Sequence, residues 1–149
     1  MPDARSRVGA TGLMQLMPAT AKWVARQIGF HPFTVDMLRR PEVNVVMGTY
    51  YFSRVLVDLG HPVLATAAYN AGPNRARRWR DERPLEGAIY AETIPFNETR
   101  DYVKNVFANA WYYSHRLTGQ PASLRSLLGT VPGRVGESPE AAALAASLP

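Results

Sequence analysis

The chain has 149 residues, a formal net charge of +5 at neutral pH, and a composition that is 46% hydrophobic and 19% charged. This length suits one domain with a buried core, and the composition excludes a disordered chain. The absence of cysteine excludes disulfides, thiolate ligands and a cysteine nucleophile, while the wide spacing of the three histidines predicts no metal site. The apolar runs are too short to predict a transmembrane segment, and the polar residues 1–7 predict no signal peptide in this chain.

Every element predicted along the chain is helical. Proline in the first turn and glycine after the last turn mark most of the helix boundaries. Helices are predicted at residues 18–28, 33–40 (a short turn or helix), 41–59, 62–70, around Trp79, 87–91 and 98–117. Asn97 is predicted to cap the last of them. Because no segment alternates apolar and polar residues with a period of two, the sequence predicts an all-α fold.

Within the helix at 41–59, residues recur at spacings of three and four, which predicts one face directed at the core. The predicted face consists of Val43, Val46, Met47, Tyr50, Arg54 and Val57. Arg54 is the exception on this face and is expected to extend its charged end outward.

Residues 119–149 are mostly alanine, glycine, proline, serine and leucine, with no aromatic residue, so they offer few large side chains for a core. We predict a flexible, weakly ordered C-terminal tail here, in which "LRSLL" forms a docking turn and "SPEAAALAASL" a weak helix. The sequence therefore predicts one domain at residues 1–118 and a tail at 119–149 without functional residues.

Much of the positive charge lies in one basic segment, "NRARRWRDER" at residues 74–83. We interpret this segment as a solvated helix face that Asp81 and Glu82 partly neutralise. The remote alternative is a basic nucleic-acid-binding helical module, but the sequence lacks a helix-turn-helix, zinc or aromatic ribonucleoprotein pattern. No nucleic-acid partner is therefore expected.

Chemistry-bearing residues are concentrated in three short segments. These are "GATGLMQLMPATA" at 9–21, "AAYNAG" at 67–72 and "IPFNETRDYVKNV" at 94–106. In the first, the glycines let the backbone bend close to a ligand, and Gln15 offers a donor and an acceptor beside the thioether of Met14 or Met17. Such a combination suits a sugar better than a phosphate, which would call for a Gly-Lys-Ser/Thr turn.

In the other two segments, polar side chains lie at helix ends. Tyr69 and Asn70 precede the glycine that ends their helix, and Glu98 starts the next long helix. Each candidate also has a structural alternative. Gln15 could cap the following helix, Tyr69 could be a half-buried core residue, and Glu98 could complement a helix dipole.

Together, the three segments resemble the catalytic domain of soluble lytic transglycosylases, the goose-lysozyme-like enzymes of the bacterial cell envelope. Residues 41–52, "PEVNVVMGTYYF", match the intervening helix of that family, and the resemblance covers residues 2–118. It implies a lysozyme-like (goose-type) helical domain that acts on peptidoglycan glycan strands in the periplasm or cell envelope. The implied reaction cleaves the β-1,4 bond between N-acetylmuramic acid and N-acetylglucosamine, closes a 1,6-anhydro ring and needs no cofactor.

The resemblance also implies which residues bind the substrate. They are Ser6, Gln15, Met17, Tyr69, Asn70 and Glu98. In the family, the catalytic glutamate lies in a segment like "RQESxFNPxAxS", and residues 2–6, "PDARS", match only the end of it. We therefore expect that glutamate upstream of Met1, so that this chain holds no catalytic residue and lacks the first helix.

Two explanations for the missing glutamate remain open. The chain is either a truncated product, or mis-set start, of an intact enzyme, or a catalytically dead domain that binds glycan or serves as a scaffold. In both cases the missing helix predicts bare apolar surface around Val46 and Val106.

Overall fold

The computed structural model describes residues 1–120 and 123–149, apart from the side chains of residues 141, 144 and 145. The described helices are α1 (Pro18–Gln27), a 3₁₀-helix (Val35–Arg39), α2 (Pro41–Leu59), α3 (Pro62–Ala71), α4 (Pro73–Arg78), α5 (Gly87–Thr93), α6 (Asn97–Thr118), α7 (Leu124–Leu128) and α8 (Pro139–Ala146). Two short strands, β1 (Leu85–Glu86) and β2 (Thr130–Val131), pair antiparallel. The predicted all-α fold class is confirmed.

The first four α-helices begin at prolines because the fixed φ of proline suits the first helical turn, where no amide donor is needed. The predicted cap of the last long helix was wrong. Phe96 occupies the N-cap position of α6, and Asn97 already lies inside the helix. No side chain caps α6, and the Asn97 Oδ1 instead accepts a hydrogen bond from Arg100 Nη2 at 2.5 Å.

The buried face of α2 also differs from the predicted one. Val46 is 60% exposed and Val57 is 73% exposed, whereas Asn44, Gly48 and Tyr51 are buried. The buried face is therefore shifted by about one residue towards positions that look polar or small in the sequence. The exposure of Val46 agrees with the bare apolar surface expected there, while Val106 is only half-exposed.

The chain divides into two compact units, one formed by residues 1–54 with Pro149 and the other by residues 55–148. The first unit has a core of fully or almost fully buried side chains. They are Leu16, Ala21, Val24, Ala25, Leu38, Met47 and Tyr51. Trp23 packs edge-on against Tyr51, with 6.3 Å between the ring centroids.

In the second unit, the core is built around Tyr90 of α5. Its ring is fully buried, and its hydroxyl donates to the Ala76 carbonyl over 3.0 Å. Burial raises the pKa of this phenol, so it stays neutral and keeps its donor. Val63, Leu64 and Ile94 are also fully buried in this unit.

Part of the segment predicted as a tail packs on the second unit. Val131 of β2 is only 2% exposed and pairs with Leu85. The two predicted local elements occur as α7 and α8. The domain boundary at residue 118 stays a prediction.

Among the described residues, none of the helices combines the length and apolar character that a membrane crossing requires.

A histidine, His61, caps α3 and makes the stability of the protein sensitive to pH. His61 holds the N-cap position, and its Nδ1 accepts from the Val63 amide at 3.2 Å, which requires an unprotonated Nδ1. Burial lowers the pKa of His61 below its ordinary value of 6.5. As the pH falls, the His61 imidazole therefore takes up a proton in the unfolded chain before it does so in the folded chain. The stabilisation by the His61 cap is complete above pH 6.5 and is lost as the pH falls below that value.

We expect His61→Asn to reduce this pH dependence, because asparagine keeps a cap acceptor but does not titrate. The measurement is the difference in Tm between pH 7.5 and pH 5.5 for both proteins, which should be smaller in the variant. An equal difference in Tm for the two proteins would show that the His61 cap does not titrate in this range.

Candidate functional site

A compact loop at residues 4–17 carries the first glycine-rich segment. The Thr11 amide donates to the Leu16 carbonyl over 2.9 Å, and the Leu16 amide donates back to Thr11 over 3.1 Å. The Gly12 amide donates to the Ala4 carbonyl over 2.9 Å. These backbone bonds fold the loop on itself, so its side chains are held by a rigid frame.

Asn44 of α2 fastens this loop to the helix. Its Oδ1 accepts from the Met14 amide at 2.7 Å, and its Nδ2 donates to the carbonyls of Thr11 and Leu38, each at 2.9 Å. The side chain is fully buried, and both ends of its carboxamide are used. The role of Asn44 could not be predicted from the sequence, because an asparagine within a helical pattern carries no signal of what it will bond.

Two glycines allow the loop and α2 to approach each other closely. Gly12 has a φ of +80°, and a Cβ there would overlap the Asn44 amide and lie 2.7 Å from the Leu38 carbonyl oxygen. A Cβ at Gly48 would lie 2.5 Å from the Cβ of Met14. Both positions therefore exclude a side chain, and Gly12 also requires a backbone conformation that favours glycine.

Gln15 helps to hold the loop together. Its φ is +48°, a left-handed conformation that residues other than glycine rarely adopt. Its Nε2 donates to the Gly12 carbonyl at 2.7 Å and to the Ala4 carbonyl at 3.2 Å. Because both partners are acceptors, the nitrogen must face them, and Oε1 is left without a partner among the described residues. The capping alternative is wrong, since Met17 holds the N-cap position of α1 and no side chain bonds there.

The other two candidates of the first unit lie at the two ends of this loop. Ser6 Oγ accepts from the Ala10 amide at 2.9 Å, and the Ser6 amide donates to the Ala10 carbonyl at 2.8 Å. Met17 is 40% exposed immediately before α1. Ser6 therefore closes a turn, whereas Met17 presents apolar surface.

In the second unit, Asn70 of α3 is tied to the first turn of α6. The buried Thr99 hydroxyl donates to Asn70 Oδ1 over 2.7 Å. Glu98 precedes Thr99 and is exposed, and Tyr69 is half-buried beside Asn70 in the chain. The structure thus brings Asn70 and Glu98 to one corner of this unit. The role of Thr99 could not be predicted from the sequence, because it depends on a partner 29 residues away.

Ion pairs occupy two acidic side chains and lower their pKa. Lys104 Nζ lies 2.6 Å from Glu92 Oε1, and this hydrogen bond lowers the pKa of Glu92. Burial raises the pKa of Glu137, but hydrogen bonds from Arg77 and Arg80 outweigh it, so the net shift is downward. A general acid that works at neutral pH needs a raised pKa, so neither carboxyl suits that role. Within residues 1–120 and 123–149, no cluster of three or more acidic or histidine side chains is placed to hold a metal ion.

The basic segment at 74–83 is solvated only in part: Arg75, Arg78 and Arg83 are exposed as predicted, but Arg77 and Arg80 are not. The Arg80 side chain is only 5% exposed, and its Nη2 lies 2.6 Å from Glu137 Oε2. Arg77 Nη2 lies 3.1 Å from the same oxygen. The counter-charge comes from a residue 57 positions further along the chain rather than from the acidic residues inside the segment.

Comparison with known families decides what kind of domain carries these features. A family model of the transglycosylase SLT domain matches residues 1–90. The chain belongs to this family. A model of the soluble lytic transglycosylase helical domain matches residues 93–121 of this SLT-family chain. The predicted resemblance to soluble lytic transglycosylases is confirmed.

Known relatives of this SLT-family chain are several times longer. The soluble lytic murein transglycosylase of Salmonella typhimurium is 41% identical over 129 residues, which is 84% of this chain and 20% of that protein. The X-ray structure of an inactive glutamate-to-glutamine mutant of lytic transglycosylase Slt from Pseudomonas aeruginosa is 51% identical with a TM-score of 0.75, covering 81% of this chain and 20% of that one. The structure of the 70-kDa soluble lytic transglycosylase in complex with bulgecin A is 37% identical with a TM-score of 0.72. The match covers 80% of this chain and 20% of that one.

The SLT-family chain thus spans about a fifth of the length of the relatives that it matches. Their structural likeness at this level of identity confirms the predicted lysozyme-like helical fold.

Proposed function

We propose that this chain binds the glycan strands of peptidoglycan as part of a lytic transglycosylase. The enzyme cleaves the β-1,4 bond between N-acetylmuramic acid and N-acetylglucosamine and forms a 1,6-anhydro product. Membership of the SLT family supports the enzyme class, and the relatives are named for action on murein. This substrate favours a location in the periplasm or cell envelope.

The fixed orientation of the Gln15 carboxamide is the observation that carries the proposal. Two backbone carbonyls hold its nitrogen, so the oxygen becomes a positioned acceptor for a sugar hydroxyl or an acetamido N–H. Its neighbours in the loop, Leu13 and Met17, are exposed and offer apolar surface to a sugar ring. A few oriented polar groups on apolar surface are typical of sites that bind uncharged polar ligands.

In the second unit, Asn70 offers a hydrogen-bond donor. Thr99 occupies its Oδ1, so the Nδ2 hydrogens of this exposed side chain are available to donate. The exposed Glu98 nearby adds a carboxylate that can accept from sugar hydroxyls. On this unit, an amide donor and a carboxylate match the hydroxyl and acetamido groups of peptidoglycan sugars better than they match a phosphate backbone.

We further propose that the 149-residue polypeptide by itself does not perform the reaction. No residue at 1–17 matches the glutamate of the family segment. Salt bridges also lower the pKa of Glu92 and Glu137, which disfavours both as substitutes. A catalytically dead domain that binds glycan or acts as a scaffold is the alternative, and it would use the same binding residues.

We expect Gln15→Ala to weaken the binding of chitooligosaccharides about ten-fold, because it removes the positioned acceptor and loosens the loop. This factor corresponds to about 1.4 kcal/mol. Tyr69→Ala is expected to act in the same direction. The measurement is titration followed by tryptophan fluorescence or by chemical shifts.

Gln27→Ala is the matched control for this test, because Gln27 is an exposed glutamine at the end of α1. It should leave the affinity unchanged. A large loss of Tm with unchanged affinity in both site variants would mean that Gln15 and Tyr69 serve the fold alone. Tight binding of duplex DNA at moderate salt, without any response to glycans, would instead favour the nucleic-acid module.

A further inference from the structure

A strongly basic cavity of about 420 Å³ lies in the second unit, on the basic segment and the residues that follow β2. Its lining consists of Asn74, Arg77, Arg78, Arg80, Arg134 and Glu137. Four guanidinium groups thus face a single carboxylate, an excess of three positive charges. The volume falls in the range of sites that hold small molecules or short peptides.

Glu137 satisfies only part of this charge. Its Oε2 lies 2.6 Å from Arg80 Nη2 and 3.1 Å from Arg77 Nη2, so one carboxylate is shared by two guanidinium groups. Arg80 Nη1 also reaches the Gly133 carbonyl at 3.5 Å, and Arg77 Nη1 donates to the Ala142 carbonyl at 2.9 Å. These contacts hold the two inner arginines in place without neutralising them both.

The remaining groups of the lining lack partners. Arg77 Nε is buried and has no hydrogen-bond acceptor among the described residues. Arg78 and Arg134 are exposed, and within the described parts of the chain neither forms an ion pair. Guanidinium groups gathered at one cavity repel one another, so an incoming anion would relieve that repulsion and gain charge-assisted hydrogen bonds.

We propose that this cavity binds the carboxylate groups of a short acidic peptide, the kind of peptide attached to the glycan strands of peptidoglycan. The proposal rests on the proposed function, because that function brings such peptides to the chain. The pairing of Glu137 with Arg77 and Arg80 already shows that this lining accommodates carboxylate geometry. Asn74, exposed on the same rim, adds an amide that can hydrogen-bond to a peptide group.

The test uses the peptide that an amidase releases from peptidoglycan, and the same peptide with its carboxyl groups amidated. Binding to the 149-residue chain is measured by calorimetry for the parent and for the double variant Arg78→Gln and Arg134→Gln. Both arginines are exposed, so the variant should keep the parent Tm. We expect the free peptide to bind the parent chain and to lose affinity ten-fold or more in the double variant. Arg116→Gln, an exposed arginine of α6 outside this lining, should change nothing.

Several results would overturn the proposal. The first is equal peptide affinity in the parent and the double variant, and the second is equal affinity of the parent for the free and the amidated peptide. The third is binding of inorganic phosphate or a DNA oligonucleotide at least as tight as that of the peptide.

Peptide-free chitooligosaccharides separate this proposal from the proposed function. Arginine-dependent peptide binding without glycan binding supports the cavity and counts against the function. Glycan binding without arginine-dependent peptide binding overturns the cavity proposal alone.

Discussion

Replacing Gly12 with alanine is expected to destabilise the protein by about 3 kcal/mol or more. Part of this cost, about 1–2 kcal/mol, arises because a residue with a Cβ disfavours the φ of +80° at this position. The rest arises because the Cβ would displace the Asn44 carboxamide and press on the Leu38 carbonyl. Displacement of Asn44 would also leave buried backbone groups of the loop without partners.

Gly9→Ala is the matched control for this prediction. Gly9 has a φ of +95°, but a Cβ there would have nothing within 4 Å. It should therefore show the backbone cost alone, about 1–2 kcal/mol. Urea denaturation of both variants measures the difference as a shift in midpoint at constant m-value. Equal midpoints for the two variants would mean that the close packing of the loop on Asn44 is absent in solution.

The second large effect concerns catalysis. The 149-residue chain is expected to release no 1,6-anhydromuropeptides from cell-wall sacculi, because no residue at 1–17 matches the family glutamate that is proposed to protonate the leaving oxygen. General-acid catalysis by a positioned side chain contributes a factor of about 10²–10⁴ in rate. A chain extended at its N-terminus by the family segment with its glutamate should therefore gain activity by at least this factor. Mass spectrometry of digested sacculi detects the products.

The control for this experiment is the same extended chain with glutamine in place of the added glutamate. It should be as inactive as the 149-residue chain. Glu98→Gln in the active, extended chain should weaken substrate engagement without abolishing the reaction. Anhydro products from the 149-residue chain that disappear in Glu98→Gln would contradict this assignment and identify Glu98 as the acid. An inactive extended chain that still binds glycan would favour the catalytically dead alternative.

The sequence alone determined most of the helix starts and the family. Proline and glycine act through local dihedral preferences, so Pro18, Pro41 and Pro62 mark the starts of α1, α2 and α3 without knowledge of the fold. The three motif segments pointed to soluble lytic transglycosylases, and the match of residues 1–90 to the SLT domain agrees. These signals are local and lie within a few residues of the feature that they predict.

Only the tertiary structure decided what the polar residues do. Asn44 is buried because the loop at 4–17 brings backbone groups to it, and Gln15 exposes its oxygen because two carbonyls hold its nitrogen. Arg80 is buried because Glu137 reaches it from another part of the chain. A polar side chain is stable in such places only when its partners are present, and those partners are distant in sequence. The local sequence therefore predicts where helices and turns form. The packing of distant segments decides which amide, guanidinium or carboxylate remains available to a ligand.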